Sequence, residues 1–146
     1  MNNLINLESY LCGKKDLLNE IIELNEIIFK KGLYLSELDA QELMETKLTT
    51  LNNLGRIEIN QETVCEIICE FYDSPYIDKY NYLLEFKDLI SVFYYYQSIL
   101  WTKLTDEQIL KYLKECFDGE AAGNIELLYE PCLNNLIEEI ESGVNE

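Results

Sequence analysis

The stretch that most constrains the fold is residues 78–103, which read DKYNYLLEFKDLISVFYYYQSILWTK and contain no Gly or Pro. Apolar or aromatic side chains recur in it at alternating steps of four and three, the spacing of one face of an α-helix. The first row is Tyr82, Phe86, Leu89, Phe93, Tyr96 and Leu100, and Leu83, Ile90 and Trp101 form a second. Near its end Val92, Tyr95 and Ile99 make the opposite side apolar as well. A helix that is apolar on most sides is usually surrounded by other helices, so we expect this one at the centre.

Further helices are indicated on both sides of this stretch by the same spacing and by signals at their ends. Ser36 is suited to begin one helix as an N-cap, and Thr105 followed by Gln108 matches a capping box. Glycines that allow a helix to stop follow three of these segments, at Gly32, Gly55 and Gly119. Residues 56–59 alternate in polarity, but four residues cannot form a stable sheet alone, so we interpret them as an extended connector.

The predicted fold class is therefore all-α, a single-domain helical bundle of five to seven helices around the central aromatic-rich helix. The domain is expected to span residues 1–146, with frayed ends at 1–13 and 142–146 and at most a trace of strand near residues 57–59. A chain of 146 residues is long enough to bury a core of its own.

The charge of the chain excludes several classes of partner. The net charge is −17, from 28 acidic and 11 basic side chains, whereas affinity for a phosphate backbone comes mainly from Lys and Arg. We therefore expect no direct nucleic acid binding and no binding to anionic membrane surfaces. No apolar run approaches the roughly 18 residues of a membrane span, and the N-terminus does not resemble a signal peptide. Five cysteines, an odd number, favour free thiols and a cytoplasmic location.

Metal binding by the cysteines is not indicated by their spacing. Cys65 and Cys69 lie one helical turn apart, but a structural zinc site usually has four Cys or His ligands, and the chain has no His. Cys12, Cys116 and Cys132 are isolated in the sequence. Because free Cys is among the most buried residue types, we interpret the cysteines as packing residues and predict no metal ligands and no cofactor.

An enzyme is not excluded by these observations, but its usual motifs are missing. Without His there is no Ser-His-Asp or Cys-His arrangement, and no Gly-rich phosphate loop or Asp-rich calcium loop is present. No catalytic residue is predicted. The alternative to a non-catalytic protein is an enzyme with a carboxylate-based metal site, since acids are plentiful.

The favoured hypothesis is a non-catalytic acidic protein-interaction module. Lys114 is the last basic residue, and nine acidic residues follow it. The C-terminal part of the chain therefore has a uniformly negative electrostatic field. The aromatic segment around Tyr76–Tyr80, which follows a predicted turn at residues 73–76, is suited to supply a buried anchor, because Tyr is enriched in interface hot spots. Under the enzyme alternative, Arg56 at a helix end near Glu58 would bind an anionic substrate group. The candidate interaction residues are Arg56, Glu58, Asp73, Tyr76, Tyr80, Glu115, Asp118, Glu120, Glu126 and Glu130. The expected partner is a protein with a basic surface or a second copy of the chain, and the plainer interpretation of the acids is a solvated face.

Three strings carry a resemblance to a known group of proteins. They are GLYLSELDAQEL at residues 32–43, LGRIE at residues 54–58 and DSPYI at residues 73–77, with Gly123 and residues 126–128 further on. Together they resemble a family of small uncharacterised bacterial helical proteins, one of the domain-of-unknown-function families, over roughly residues 16–129. The resemblance implies a bacterial cytoplasmic protein and no particular chemistry.

Overall fold

The fold is built around one long helix, as the apolar spacing predicts. The computed structural model describes residues 18–58 and 62–143. Residues 18–23 are helical, and six further α-helices of at least four residues follow in the described part of the chain. They are α1 (Asn25–Ile28, continued by the 3-10 turn Phe29–Lys31), α2 (Glu37–Asn53), α3 (Glu62–Phe71), α4 (Tyr82–Leu100), α5 (Asp106–Asp118) and α6 (Leu133–Ser142). The described residues contain no strand, so the predicted all-α bundle is confirmed.

Helix α4 lies at the centre of this bundle. It contacts α2, α3, α5 and the single helical turn Ile125–Leu127. Its buried side chains are Phe86, Leu89, Ile90, Val92, Phe93, Tyr94, Tyr96, Gln97 and Leu100. Trp101, which the sequence pattern placed on the buried face, is instead 70% exposed because the helix ends at Leu100 and the chain turns away there.

Helix α4 is shorter than the predicted segment of residues 78–103 at both ends. At its start the carboxylate of Asp78 accepts hydrogen bonds from the backbone N–H groups of Tyr80 and Asn81. This side-chain turn replaces the first helical turn, as Asp commonly does before a helix. At the other end the N–H groups of Lys103 and Leu104 both donate to Leu100 O, which closes the helix.

The residues predicted to begin α2 and α5 and to end α1 are confirmed. Ser36 accepts from Asp39 N–H at 3.1 Å while Asp39 accepts from Ser36 N–H, and Thr105 and Gln108 form the same reciprocal pair. Each pair satisfies two donors that a helix start would otherwise leave free. Gly32 ends the first helical segment with φ +83, a left-handed conformation that glycine adopts without strain.

Between α5 and α6 the chain passes through the turn Ile125–Leu127 and the π-helical segment Leu128–Cys132. Glu130 in this segment has an extended backbone, which kinks the chain before Pro131. The hydroxyls of Tyr96 and Tyr112 donate to the carbonyls of Leu128 and Cys132 and hold the segment against the core. Helix α6 ends at Ser142, and Gly143 closes it in a left-handed conformation. The predicted frayed residues 1–13 and 144–146 lie outside the described residues.

The connector between α2 and α3 is irregular at residues 56–58, and Ile59, the end of the predicted trace of strand, is outside the described residues. Ile57 is 95% exposed, whereas Arg56 and Glu58 on either side of it are partly buried. The connector therefore turns these two side chains toward the bundle. Among the helices the structure describes, none is long and apolar enough to cross a membrane.

Candidate functional site

The first polar feature is a buried network around Glu58. Tyr94 donates a hydrogen bond of 2.7 Å to Glu58 Oε1, and Lys47 Nζ lies 3.6 Å from the same oxygen. Lys47 is only 2% exposed, and burial lowers the pKa of Lys47 although the charge of Glu58 opposes that shift. Burial, followed by the Glu58 charge, raises the pKa of Tyr94, which keeps its hydroxyl protonated as a donor. Glu58, proposed from the sequence as a surface residue, is thus held by the core.

Arg56 lines a pocket of about 440 Å³ next to this network. Gln97 Nε2 donates to Asp106 Oδ1 at 2.8 Å, which fixes the orientation of the amide. Gln97 Oε1 and Arg56 Nη1 are buried and have no hydrogen-bond partner in the described part of the chain. Trp101 forms part of the rim and is 70% exposed. We call this cavity, lined by Arg56, Gln97, Ser98, Trp101, Leu104, Thr105 and Asp106, the arginine pocket.

A second cavity, of about 550 Å³, adjoins the arginine pocket and shares Thr105 and Asp106 with it. It lies between α3 and the start of α5, and most of its ionisable side chains are carboxylates. We call it the acidic groove, lined by Thr63, Glu66, Cys69, Glu70, Thr105, Asp106, Glu107 and Leu110. Loss of hydration, followed by the charges of Glu62, Asp106 and Glu107, raises the pKa of Glu66. The groove therefore concentrates negative charge from two helices.

Two cysteines that are isolated in the sequence lie side by side in the fold. Cys116 Sγ and Cys132 Sγ are each 3.7 Å from Glu120 Oε1, and all three atoms are within 4.8 Å of one another. Both thiols are buried, while Glu120 is exposed. Burial raises the pKa of Cys132 to about 12 and also raises the pKa of Cys116, so both are neutral thiols at neutral pH.

The predicted turn at residues 73–76 is held against the end of α5. Lys114 Nζ lies 3.3 Å from Asp73 and 3.3 Å from Asp118, so it offsets the charge of both acids. The buried hydroxyl of Ser74 donates to Asp118 Oδ1 at 2.6 Å and accepts from Tyr76 N–H. This cluster positions the turn, and its two acids are already paired.

The remaining sequence-predicted residues lie on the surface. Tyr80 is 85% exposed, with Lys79 Nζ 5.3 Å from the centre of its ring. Tyr76 is 39% exposed, since its other side packs on Phe117. Glu115, Glu120, Glu126 and Glu130 are exposed. Of these four, Glu120 is brought next to the buried thiols.

Sequence reasoning missed the residues of the acidic groove and the buried partner of Glu58. In both cases the helical spacing of the residues in the sequence was a usable signal. Glu62, Glu66 and Glu70 repeat at the four-residue spacing of one helix face. Lys47 lies three residues after Met44 and four after Leu43, so it occupies the buried face of α2.

No curated protein and no solved structure matches the chain. A family model does match it, over residues 20–146, so the likeness reaches past the predicted limit near residue 129 and includes α6. Helices α1 to α6, the arginine pocket, the acidic groove and the paired thiols all lie within the matched residues. The chain belongs to DUF6323, a family of unknown function.

Proposed function

We propose that this protein is a non-catalytic interaction module that binds a basic segment of a partner protein in the acidic groove. The observation that carries the proposal is that Glu66, Asp106 and Glu107 line the same groove. Burial, followed by the charges of Glu62, Asp106 and Glu107, raises the pKa of Glu66. Carboxylates that repel one another favour a ligand that brings positive charge between them. A Lys- or Arg-rich segment supplies that charge.

The charge of the whole chain supports the same partner class. With a net charge of −17, the protein attracts cationic partners over a distance, and this attraction increases the association rate at low salt. The acids after Lys114 extend the negative surface, including the exposed side chains of Glu126 and Glu130. Free thiols among the described residues fit a reducing compartment, and we place this function in the bacterial cytoplasm.

The arginine pocket supplies a second contact for the same partner. Trp is enriched at interface hot spots, and the exposed ring of Trp101 stands at the rim of this pocket. The pocket beside this ring is lined by Leu104 and by polar residues such as Ser98 and Thr105. The preferred segment therefore carries basic residues for the groove and an apolar side chain for the pocket.

A titration with a Lys- and Arg-rich peptide tests the proposal, and Trp101 is the only tryptophan, so its fluorescence reports on the pocket directly. We expect binding that weakens as salt increases. The double variant Glu66→Gln/Glu107→Gln should bind about tenfold more weakly at low salt. The matched control Glu138→Gln/Glu139→Gln removes the same charge from exposed positions on α6 and should change the affinity much less.

Several outcomes would overturn this assignment. An equal loss of affinity in both double variants would mean that only the total charge matters and that the groove is no site. A salt-insensitive homodimer in sedimentation experiments would favour self-association. Tight Mg²⁺ binding that is lost in Glu66→Gln/Glu107→Gln would instead favour the alternative of a carboxylate-based metal enzyme.

A further inference from the structure

The thiols of Cys116 and Cys132 and the carboxylate of Glu120 form a compact set of ligand atoms. Each Sγ lies 3.7 Å from Glu120 Oε1, and the three atoms lie within 4.8 Å of one another. The residues come from the last turn of α5, the loop after it, and the junction between the π-helical segment and α6. Three separate parts of the chain thus converge on one point.

The separation of these atoms matches the dimensions of a zinc site. Zinc binds thiolate sulfur at about 2.3 Å and carboxylate oxygen at about 2.1 Å in tetrahedral geometry, which puts sulfur and oxygen ligands about 3.6 Å apart. The two observed Sγ–Oε1 distances of 3.7 Å have this value. Two thiolates on one tetrahedral zinc lie about 3.8 Å apart, and the two sulfurs here are within 4.8 Å of each other.

We propose that Cys116, Glu120 and Cys132 bind one Zn²⁺ ion, with solvent as the fourth ligand. When the two Zn–S bonds form, each thiol releases its proton to solvent, and the carboxylate completes a site with a single net negative charge. Glu120 is exposed, so the ion reaches the buried sulfurs along this carboxylate.

The surrounding backbone holds the three ligands in place. Cys116 O accepts the Ala121 N–H at 2.8 Å, which folds the loop that carries Glu120 back over the end of α5. The Tyr112 hydroxyl donates to Cys132 O at 2.7 Å and fixes the second cysteine. Gly119 permits this reversal, since a Cβ there would lie 2.8 Å from Glu115 O. Such supporting contacts orient metal ligands and contribute to affinity.

The test is a titration of the reduced, metal-free protein with Zn²⁺ and, separately, with Co²⁺ as a spectroscopic probe. We expect one ion per chain, a higher Tm with zinc, and a cobalt spectrum with thiolate charge-transfer bands and tetrahedral ligand-field bands. Glu120→Gln, at an exposed position, should lower zinc affinity about tenfold without affecting the fold, and Cys132→Ser should lower it by about 100-fold or more.

The variant Cys65→Ser/Cys69→Ser is the matched control, because it removes two other thiols that lie four residues apart on α3. It should retain the cobalt spectrum and the zinc affinity. The proposal is overturned if this control loses the spectrum while Cys132→Ser keeps it, or if Glu120→Gln binds zinc as tightly as the original protein. Absence of zinc binding to the reduced protein, with a Cys116–Cys132 disulfide forming in air, would also overturn it.

Discussion

The Cα of Gly123 lies directly against the side chain of Tyr76. A Cβ added to Gly123 would come within 2.7 Å of Tyr76 Cβ and 2.8 Å of Tyr76 Cγ. The Tyr76 ring also packs edge to face on Phe117 in α5, with ring centres 6.2 Å apart. The turn at residues 73–76 is therefore fixed to the loop after α5 by a contact for which only glycine leaves room.

We predict that Gly123→Ala lowers the free energy of unfolding by about 2–4 kcal/mol, from a strained positive φ together with the overpacked contact to Tyr76. Gly55→Ala is the control, because Gly55 has a similar φ of +71 but no atom within 4 Å of the point where a Cβ would lie. The control should cost only about 1–2 kcal/mol. Urea denaturation measures both, and equal costs would show that the Tyr76 contact adds nothing.

The central position of α4 predicts large effects from truncating its buried side chains. Phe86, Phe93 and Leu100 are at most 3% exposed, so Phe86→Ala, Phe93→Ala and Leu100→Ala should each cost about 2–5 kcal/mol through lost burial and cavity formation. Leu84→Ala on the same helix is the control, since Leu84 is 59% exposed, and it should cost less than about 1 kcal/mol. Thermal or urea unfolding distinguishes the two groups, and small losses at all three buried sites would contradict a central α4.

The hydrogen bond from Tyr94 to Glu58 should stabilise the fold measurably. Tyr94→Phe removes the donor from a partly buried carboxylate and should cost about 1.5–3 kcal/mol, as for hydrogen bonds to charged groups. Tyr95→Phe is the control, because it removes the same hydroxyl from the next residue of α4, whose side chain is 39% exposed. It should change the free energy of unfolding by less than about 0.5 kcal/mol. If the two variants unfold at the same urea concentration, the network around Glu58 is not a stabilising one.

The raised pKa of Glu66 has a defined consequence for stability and pH. Because the folded state holds this proton more tightly than the unfolded state, stability falls as pH rises from the unfolded pKa of about 4.3 through the higher folded pKa. The penalty is fully present above the folded pKa and absent well below the unfolded one. Glu66→Gln should therefore unfold at higher urea than the original protein at pH 7.

The same comparison at a pH below the unfolded pKa of Glu, about 4.3, should show no such advantage, since both proteins are then uncharged at this position. Glu138→Gln, which removes an exposed carboxylate outside the groove, serves as the control for total charge. A stabilisation by Glu66→Gln that is the same at both pH values would rule out charge repulsion in the groove as its cause.

Residue spacing predicts one side of the acidic groove but not the other. Glu62, Glu66 and Glu70 are one turn apart, so their common face follows from helical geometry alone. Their approach to Asp106 and Glu107 depends on how α3 packs against α5, and no local pattern encodes that packing. The sequence therefore indicates the carboxylates that α3 contributes to the acidic groove. The carboxylates of α5 join them only through the packing of the two helices.

The sequence by itself determined the helices and most of their ends, because helical periodicity and capping are interactions among neighbours in the chain. The capping pairs at Ser36 and Thr105 and the central apolar segment are of this kind. Only the tertiary structure decided that Cys116 and Cys132 meet at Glu120, that Lys47 pairs with Glu58, and that Trp101 faces solvent. These outcomes depend on where the loops turn and how the helices pack, and contacts between residues distant in sequence arise only once the whole core has formed.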